Sequence, residues 1–277
     1  MQRFSVSLFL LLLLTLESLA GPRQEIQNRK YLLKEIDREI PYSVFVPSSY
    51  DKSKKTPLVM VLHGLGSSAA QIIRYPNLVE EAEKRGYLLV AAEGVNNHGW
   101  YGAYGKYGGN RRGDPRNLGE LSEKDVLNVL EMAQKEFNVD PQRTYLMGHS
   151  MGGSGTWHLG MKYPEKWAAL APLASAGTNH DYDMKKLKGQ LGVIVVHGVK
   201  DNLCPIGACR LKVANLKRHG VTHKYLEFPN GTHLNVAWEH FPEVFDFFQE
   251  NVKQNKQDKQ ETVKQETVKQ ETVKQDK

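Results

Sequence analysis

Two kinds of apolar pattern take turns along the chain. Residues 31–36 and 40–46 alternate apolar and polar positions, as an antiparallel pair with one buried face would. The run 57–62 (PLVMVL) is apolar throughout, which suits a strand covered on both faces. Further strands are predicted at 87–92, 144–147, 167–173, 192–197 and 223–228. Helices are predicted at 69–85, 122–137, 151–162, 206–218 and 237–251. Ser122, with Asp125 three residues on, supplies a weak capping pattern for the helix at 122. After an opening hairpin, strands and helices therefore alternate. That order predicts an α/β fold, with a mostly parallel central sheet and helices on both faces. Ligands of such sheets meet the carboxyl ends of the strands, so chemistry is to be sought just after them.

Both ends depart from this alternation. Met1-Gln2-Arg3, an apolar run centred on 8–14 and the small-x-small exit Ser18-Leu19-Ala20 describe a secretory signal peptide over 1–20. Cleavage near Ala20 places the mature chain outside the cytoplasm, secreted or periplasmic. The apolar stretch is shorter than the roughly 20 residues of a spanning helix, and Glu17 interrupts it, so no stable membrane association is expected. From Gln260 the chain reads QETVK three times. On a helix each step of five turns a valine by about 500°, so Val263, Val268 and Val273 never share a face. The segment 252–277 is predicted to be a solvated tail. A catalytic domain over 24–251 remains, a length that suits a single α/β unit.

Composition sets further limits. With 40% hydrophobic and 25% charged residues, 24 Gly and 12 Pro, the chain is neither collagen-like, wholly disordered nor polytopic. The net charge of +6 is spread along the chain without a basic block, which argues against a nucleic-acid partner. Two cysteines make neither a disulfide scaffold nor a thiolate zinc site. No cofactor or metal is expected.

The segment Gly148-His149-Ser150-Met151-Gly152 fits G-x-S-x-G and falls between a predicted strand and a predicted helix. A sharp turn there lifts the Ser150 hydroxyl above the sheet and leaves room only for glycine beside it. A serine hydroxyl needs a base. Of ten histidines, His233 alone follows a strand through a flexible loop, Pro229-Asn230-Gly231-Thr232, at the correct end of the sheet. His63, His149 and His197 are expected to shape the neighbouring loops. Asp201 follows the buried run 192–197 and is placed to orient the base. Asp140 precedes the nucleophile strand and is expected to pair with Arg143 instead. Ser150, Asp201, His233 is the chain order of the α/β-hydrolase arrangement. The N–H of Leu65, with Gly64 next, and the N–H of Met151 are the expected oxyanion donors. Trp100, Tyr101, Tyr104 and Tyr107 crowd among the glycines of a loop over 99–109, and Trp100, Tyr101 and Trp238 are candidates for an aromatic substrate wall. Cys204 and Cys209 are expected to form a disulfide bracing the Asp201 loop.

These motifs resemble the α/β-hydrolase superfamily over about 31–251. PLVMVLHGLGSS, NVDPQRTYLMGHSMGGSGTWHLGMKYPEKWAALAPLAS, HGVKDNLCP and NGTH look like segments of exported esterases related to polyhydroxybutyrate depolymerases and feruloyl esterases. They are also similar to catalytic domains of prolyl oligopeptidases. The resemblance implies a serine hydrolase acting through an acyl-enzyme on a small-molecule or saccharide ester. A small serine peptidase with the same triad is the alternative, and the residues do not choose between them. The match carries neither a β-propeller nor a carbohydrate-binding module.

Overall fold

The computed structural model describes residues 26–177 and 182–253. The predicted leader at 1–20 and the repeats from Gln260 lie outside the described residues.

Eight strands form one sheet: β1 (Gln27–Leu33), β2 (Arg38–Phe45), β3 (Thr56–Leu62), β4 (Leu88–Ala92), β5 (Val139–His149), β6 (Ala169–Leu173), β7 (Gly192–Gly198) and β8 (His223–Phe228). Their spatial order is β1-β2-β4-β3-β5-β6-β7-β8. β1, β2 and β4 pair antiparallel, and every pair from β4 to β8 is parallel. The expected α/β architecture is thus observed, with the opening hairpin at one edge.

The continuous apolar run of β3 is explained by its position between β4 and β5. Leu58, Met60 and Leu62 point into one core with Val126, Val129 and Trp157, while Val59 and Val61 point into the other with Phe241, Phe245 and Phe248. A strand covered on both faces has no polar side to show.

The helices are α1 (Ala69–Ile72), α2 (Leu78–Arg85), α3 (Leu118–Glu136), α4 (Met151–Lys162), α5 (Ile206–Arg218), α6 (Asn235–Trp238) and α7 (Phe241–Glu250). Three differ from the pattern reading. The single helix expected over 69–85 is two, because Pro76 lacks an N–H and Asn77 turns left-handed at φ 69°. The helix expected from 122 starts at Leu118, and its supposed capping residues lie inside it. The Ser122 hydroxyl accepts the Tyr101 N–H at 3.0 Å. Asp125 is buried and accepts from the Tyr31 hydroxyl and the Gly94 N–H, both at 2.6 Å. The last helix is also two pieces, with Pro242 in the first turn of α7.

Helix α4 sits close on the sheet because its contact face is glycine. A Cβ on Gly152 would come 2.1 Å from the Leu62 carbonyl oxygen, and one on Gly160 would come 2.2 Å from the Leu170 side chain. This approach fixes where the turn before α4 emerges. Among the described residues no helix is long and apolar enough to cross a membrane.

Candidate active site

Ser150 is the one residue between β5 and α4, and it sits at φ 58°, ψ −114°. A non-glycine residue held there stores on the order of 1–3 kcal/mol of strain. Three backbone hydrogen bonds hold it in place. The Ser150 N–H donates to Leu173 O at 3.0 Å, and its carbonyl accepts from Ser154 at 3.1 Å and Ala176 at 3.2 Å. Gly148 and Gly152 close the turn, since a Cβ on Gly148 would lie 2.3 Å from the Gly152 carbonyl oxygen.

Asp201 and His233 come from the loops after β7 and β8. These loops touch, because a Cβ on Gly198 would lie 2.2 Å from the Gly231 carbonyl oxygen. Asp201 is 4% exposed. Its Oδ1 accepts the N–H groups of Leu203 at 2.9 Å and Cys204 at 2.7 Å, and its Oδ2 lies 2.8 Å from His233 Nδ1. An ionised carboxylate only accepts, so Nδ1 of His233 carries the proton and Nε2 keeps its lone pair.

The other histidines of the site brace its loops. His149 Nε2 donates to the His233 carbonyl at 2.8 Å, and its Nδ1 faces the Tyr75 hydroxyl at 3.1 Å. Burial, with His233 nearby, lowers the His149 pKa to about 4, so this ring is neutral. His197 Nε2 donates to Cys204 O at 2.7 Å and lies 3.6 Å from Asp201 Oδ2; burial lowers its pKa as well. His63 has its ring nitrogens 2.8 Å from the carbonyls of Gly64 and Glu93, and burial lowers its pKa too. The loop it braces passes over the serine: a Cβ on Gly64 would lie 3.4 Å from Ser150 Cβ. Leu65 follows, half exposed. Asp140 is outside this group and pairs with Arg143 at 2.7 Å, as expected.

Cys204 is the residue the sequence reading misplaced. Its thiol lies against the Ser150 side chain. Its sulfur, an Asp201 carboxylate oxygen and a His233 ring nitrogen all fall within 4.8 Å of one another. Among the described hydrogen bonds none joins Ser150 Oγ to His233, and the thiol stands next to both. Burial pushes the thiol up to about 11, so it is protonated at neutral pH and is no rival nucleophile. The expected disulfide is not formed: Cys204 and Cys209 are both buried free thiols. Cys204 is drawn to the carboxyl end of the sheet by its bond to Asp201. Cys209 is carried by α5 into the core, where its sulfur is 4.0 Å from the Tyr225 hydroxyl. The signal for Cys204 was available. An aspartate after a strand tends to fold the next residues back onto its own carboxylate, which returns residue 204 to Asp201.

The aromatic candidates separate. Tyr101 is a core residue, fully buried, with its hydroxyl accepting the His63 N–H at 3.1 Å. Gly94 and Gly155 leave room for its ring: a Cβ on Gly155 would lie 2.7 Å from it. Trp238 is half-buried and packs edge-on to Tyr75 at 5.6 Å, one layer behind His149. Trp100 is half-buried and meets Tyr104 at 4.3 Å between ring centroids. Tyr104 reaches towards Gly177 and Cys204.

This arrangement can be set against known proteins. The profile of the Esterase family matches residues 34–271. The chain belongs to the Esterase family. This family member is similar to Feruloyl esterase B of Neurospora crassa, with 28% identity over 129 residues, 46% of this chain and 40% of that protein. It is also similar to rat S-formylglutathione hydrolase, with 27% identity over 150 residues, 50% of this chain and 53% of that one. Its first curated relatives are spanned for only 21–53% of their length. Among solved structures, a ferulic acid esterase of Anaeromyces mucronatus superposes with a TM-score of 0.63 at 17% identity, covering 84% of this chain and 92% of that one. An S-formylglutathione hydrolase of Agrobacterium tumefaciens gives 0.66 at 15% identity, covering 82% and 95%. These likenesses show that this esterase-family chain has the α/β-hydrolase fold.

Proposed function

We propose that the chain is a serine carboxylic ester hydrolase with Ser150 as nucleophile, His233 as base and Asp201 as the acid that orients it. The observation that carries this reading is the left-handed turn at Ser150 set beside the buried Asp201–His233 pair. His233 Nε2 takes the Ser150 proton as Oγ attacks the ester carbonyl. The negative oxygen that develops meets the N–H of Met151, at the start of α4 where no intrahelical acceptor exists, and the N–H of Leu65. The imidazolium then returns its proton to the leaving alcohol, giving an acyl-enzyme that water cleaves by the same steps.

The substrate in this reading is a soluble acyl or aryl ester, carbohydrate-linked esters included. Support comes from the Trp100–Tyr104 pair. In this reading the leader at 1–20 exports the chain, and the catalytic core is 24–251. Hydrolysis of a panel of aryl esters, acetylated sugars and short peptide amides tests the reading. Ester turnover that disappears in Ser150→Ala, with the circular dichroism unchanged, is the expected result. Amide turnover exceeding ester turnover would move the chain to the peptidase class.

A further inference from the structure

The Asp201–Cys204–His233 cluster brings three different donors together: a carboxylate oxygen, an imidazole nitrogen and a sulfur, within 4.8 Å of one another. Hydrolysis as described uses only the first two. We propose that these three residues form a binding site for a thiophilic divalent cation of the zinc type, and that its occupation switches the hydrolase off. The inference rests on the assignment of Asp201 and His233 as the working acid and base.

The chemistry selects the cation. Mixed oxygen, nitrogen and sulfur donors suit zinc or cadmium, whereas calcium and magnesium need several oxygens. Three protein donors around a tetrahedral ion leave a fourth position open, and the Ser150 side chain lies on the thiol's side to face it. Metal–ligand distances of about 2.0–2.3 Å bring tetrahedral donors to within roughly 3.2–3.8 Å of one another. The widest separation, up to 4.8 Å, must therefore close by about 1 Å, while the 2.8 Å contact of Asp201 Oδ2 with His233 Nδ1 must open where Nδ1 is the ligand. Charge also balances, because one carboxylate and one thiolate neutralise the ion in a buried place.

The binding step is an exchange of one proton for one ion. The Cys204 sulfur gives its proton to solvent and donates a lone pair to the metal; no electron is transferred. His233 donates a ring lone pair. Taken at Nε2, this removes the pair that would accept the serine proton. With the ion at Nδ1, the ring proton moves from Nδ1 to Nε2, which both breaks the hydrogen bond to Asp201 and fills the position that would accept the serine proton. Either way the base is lost until a chelator removes the ion. The site is inhibitory and differs from the thiolate-only zinc centre that two cysteines exclude.

Cadmium added to the full chain under reducing conditions gives a direct readout, the ultraviolet thiolate-to-cadmium charge-transfer band, which does not depend on activity. The wild type and Ser150→Ala are expected to show the band at one ion per chain. Cys204→Ser and Cys204→Ala are expected to lose it, and Cys209→Ser to keep it. With zinc, the wild type should lose ester turnover reversibly with a chelator. The inhibition constant should rise by at least about tenfold in both Cys204 variants, each measured against its own metal-free rate. Magnesium at the same concentrations should do nothing. No band in the wild type, a band that survives in both folded Cys204 variants, or a band lost only in Cys209→Ser overturns the site. A chain that shows the Cys204-dependent band yet hydrolyses no ester leaves the cation site standing and refutes the hydrolase assignment instead.

Discussion

His149 Nε2 donates to the carbonyl of His233 at 2.8 Å, so the residue before the candidate nucleophile also anchors the candidate base. Tyr75 holds the other ring nitrogen of His149, and Trp238 backs Tyr75. A change in this column reaches the chemistry through the position of His233 and through the backbone of Ser150 next to it. His149→Phe keeps the bulk and removes the donor, leaving a buried carbonyl unpaired. The expected outcome is a fall in kcat of about tenfold with little change in KM, because an unmade buried hydrogen bond costs roughly 1–3 kcal/mol and here misplaces a reacting group. Steady-state kinetics on a soluble aryl ester separates the two constants. An unchanged kcat would remove His149 from the positioning of the base.

The same ring makes acid stability a property of the site. His149 is held near a pKa of about 4 against an ordinary 6.5, so between these values the unfolded chain binds a proton that the folded chain does not. Stability from this residue is therefore full above pH 6.5 and falls as the pH drops towards 4, by up to about 3 kcal/mol. Asp125 acts in the opposite sense: burial raises its carboxyl from 3.8 to about 6, so its contribution falls as the pH rises through that window. Asp125 is common to the wild type and His149→Phe and cancels in their difference. Urea denaturation at several pH values should show the wild type losing stability more steeply than the variant between pH 6.5 and 4.5. Parallel slopes would mean that His149 is protonated in the fold.

Gly152 tests the close approach of α4 to the sheet. An alanine there would put its Cβ 2.1 Å from the Leu62 carbonyl oxygen and 2.8 Å from that of His63, both backbone atoms that cannot yield. The helix must retreat and take Ser150 and the Met151 N–H with it. A loss of about 2 kcal/mol or more in stability is expected, together with a fall in turnover larger than that of His149→Phe. Chemical denaturation and kinetics on the same preparation check both. Wild-type stability would show that the turn has slack the structure does not display.

How much of this could be read in the sequence follows from the physics of each element. Helix α4, helix α5 and strand β8 have the predicted bounds, because nothing in their interiors competes with their periodicity. That Ser150, Asp201 and His233 lie beyond the ends of β5, β7 and β8 was legible, because each follows a segment whose pattern predicts a strand. Ser122 and Asp125 were misread because the residue types that cap a helix also satisfy buried partners from a helix interior. Tyr101 was misread because the glycines near it in sequence suggested an open loop. The glycines that matter, Gly94 and Gly155, come from outside that loop and make room for the ring. The place of Cys204 depends on an aspartate turn, which spacing shows only when the turn is already suspected.

Tyr101 and Tyr104, which share one glycine-rich loop in the sequence, have different surroundings in the fold. Tyr101 and Tyr104 are three residues apart, but one lies in the core and the other is half-buried towards Cys204 and Gly177. Trp100 and Tyr101 both have positive φ, 57° and 52°, a strained pair of turns that sends the two rings in different directions. If the Trp100–Tyr104 pair lines the acyl or alcohol side of the site, an aromatic ester gains stacking worth about 1 kcal/mol over an acetyl ester. Tyr104→Ala should then lower the ratio of kcat/KM for aryl over acetyl esters by about fivefold while leaving stability close to wild type. Tyr101→Phe should do the reverse. It leaves the buried N–H of His63 without its acceptor, at a cost of about 1–2 kcal/mol in stability, and does not change the specificity ratio. The ratio is the quantity to measure, because a damaged fold lowers both rates together. A ratio unchanged in Tyr104→Ala, or one that moves in Tyr101→Phe, would place the aromatic recognition elsewhere on the rim.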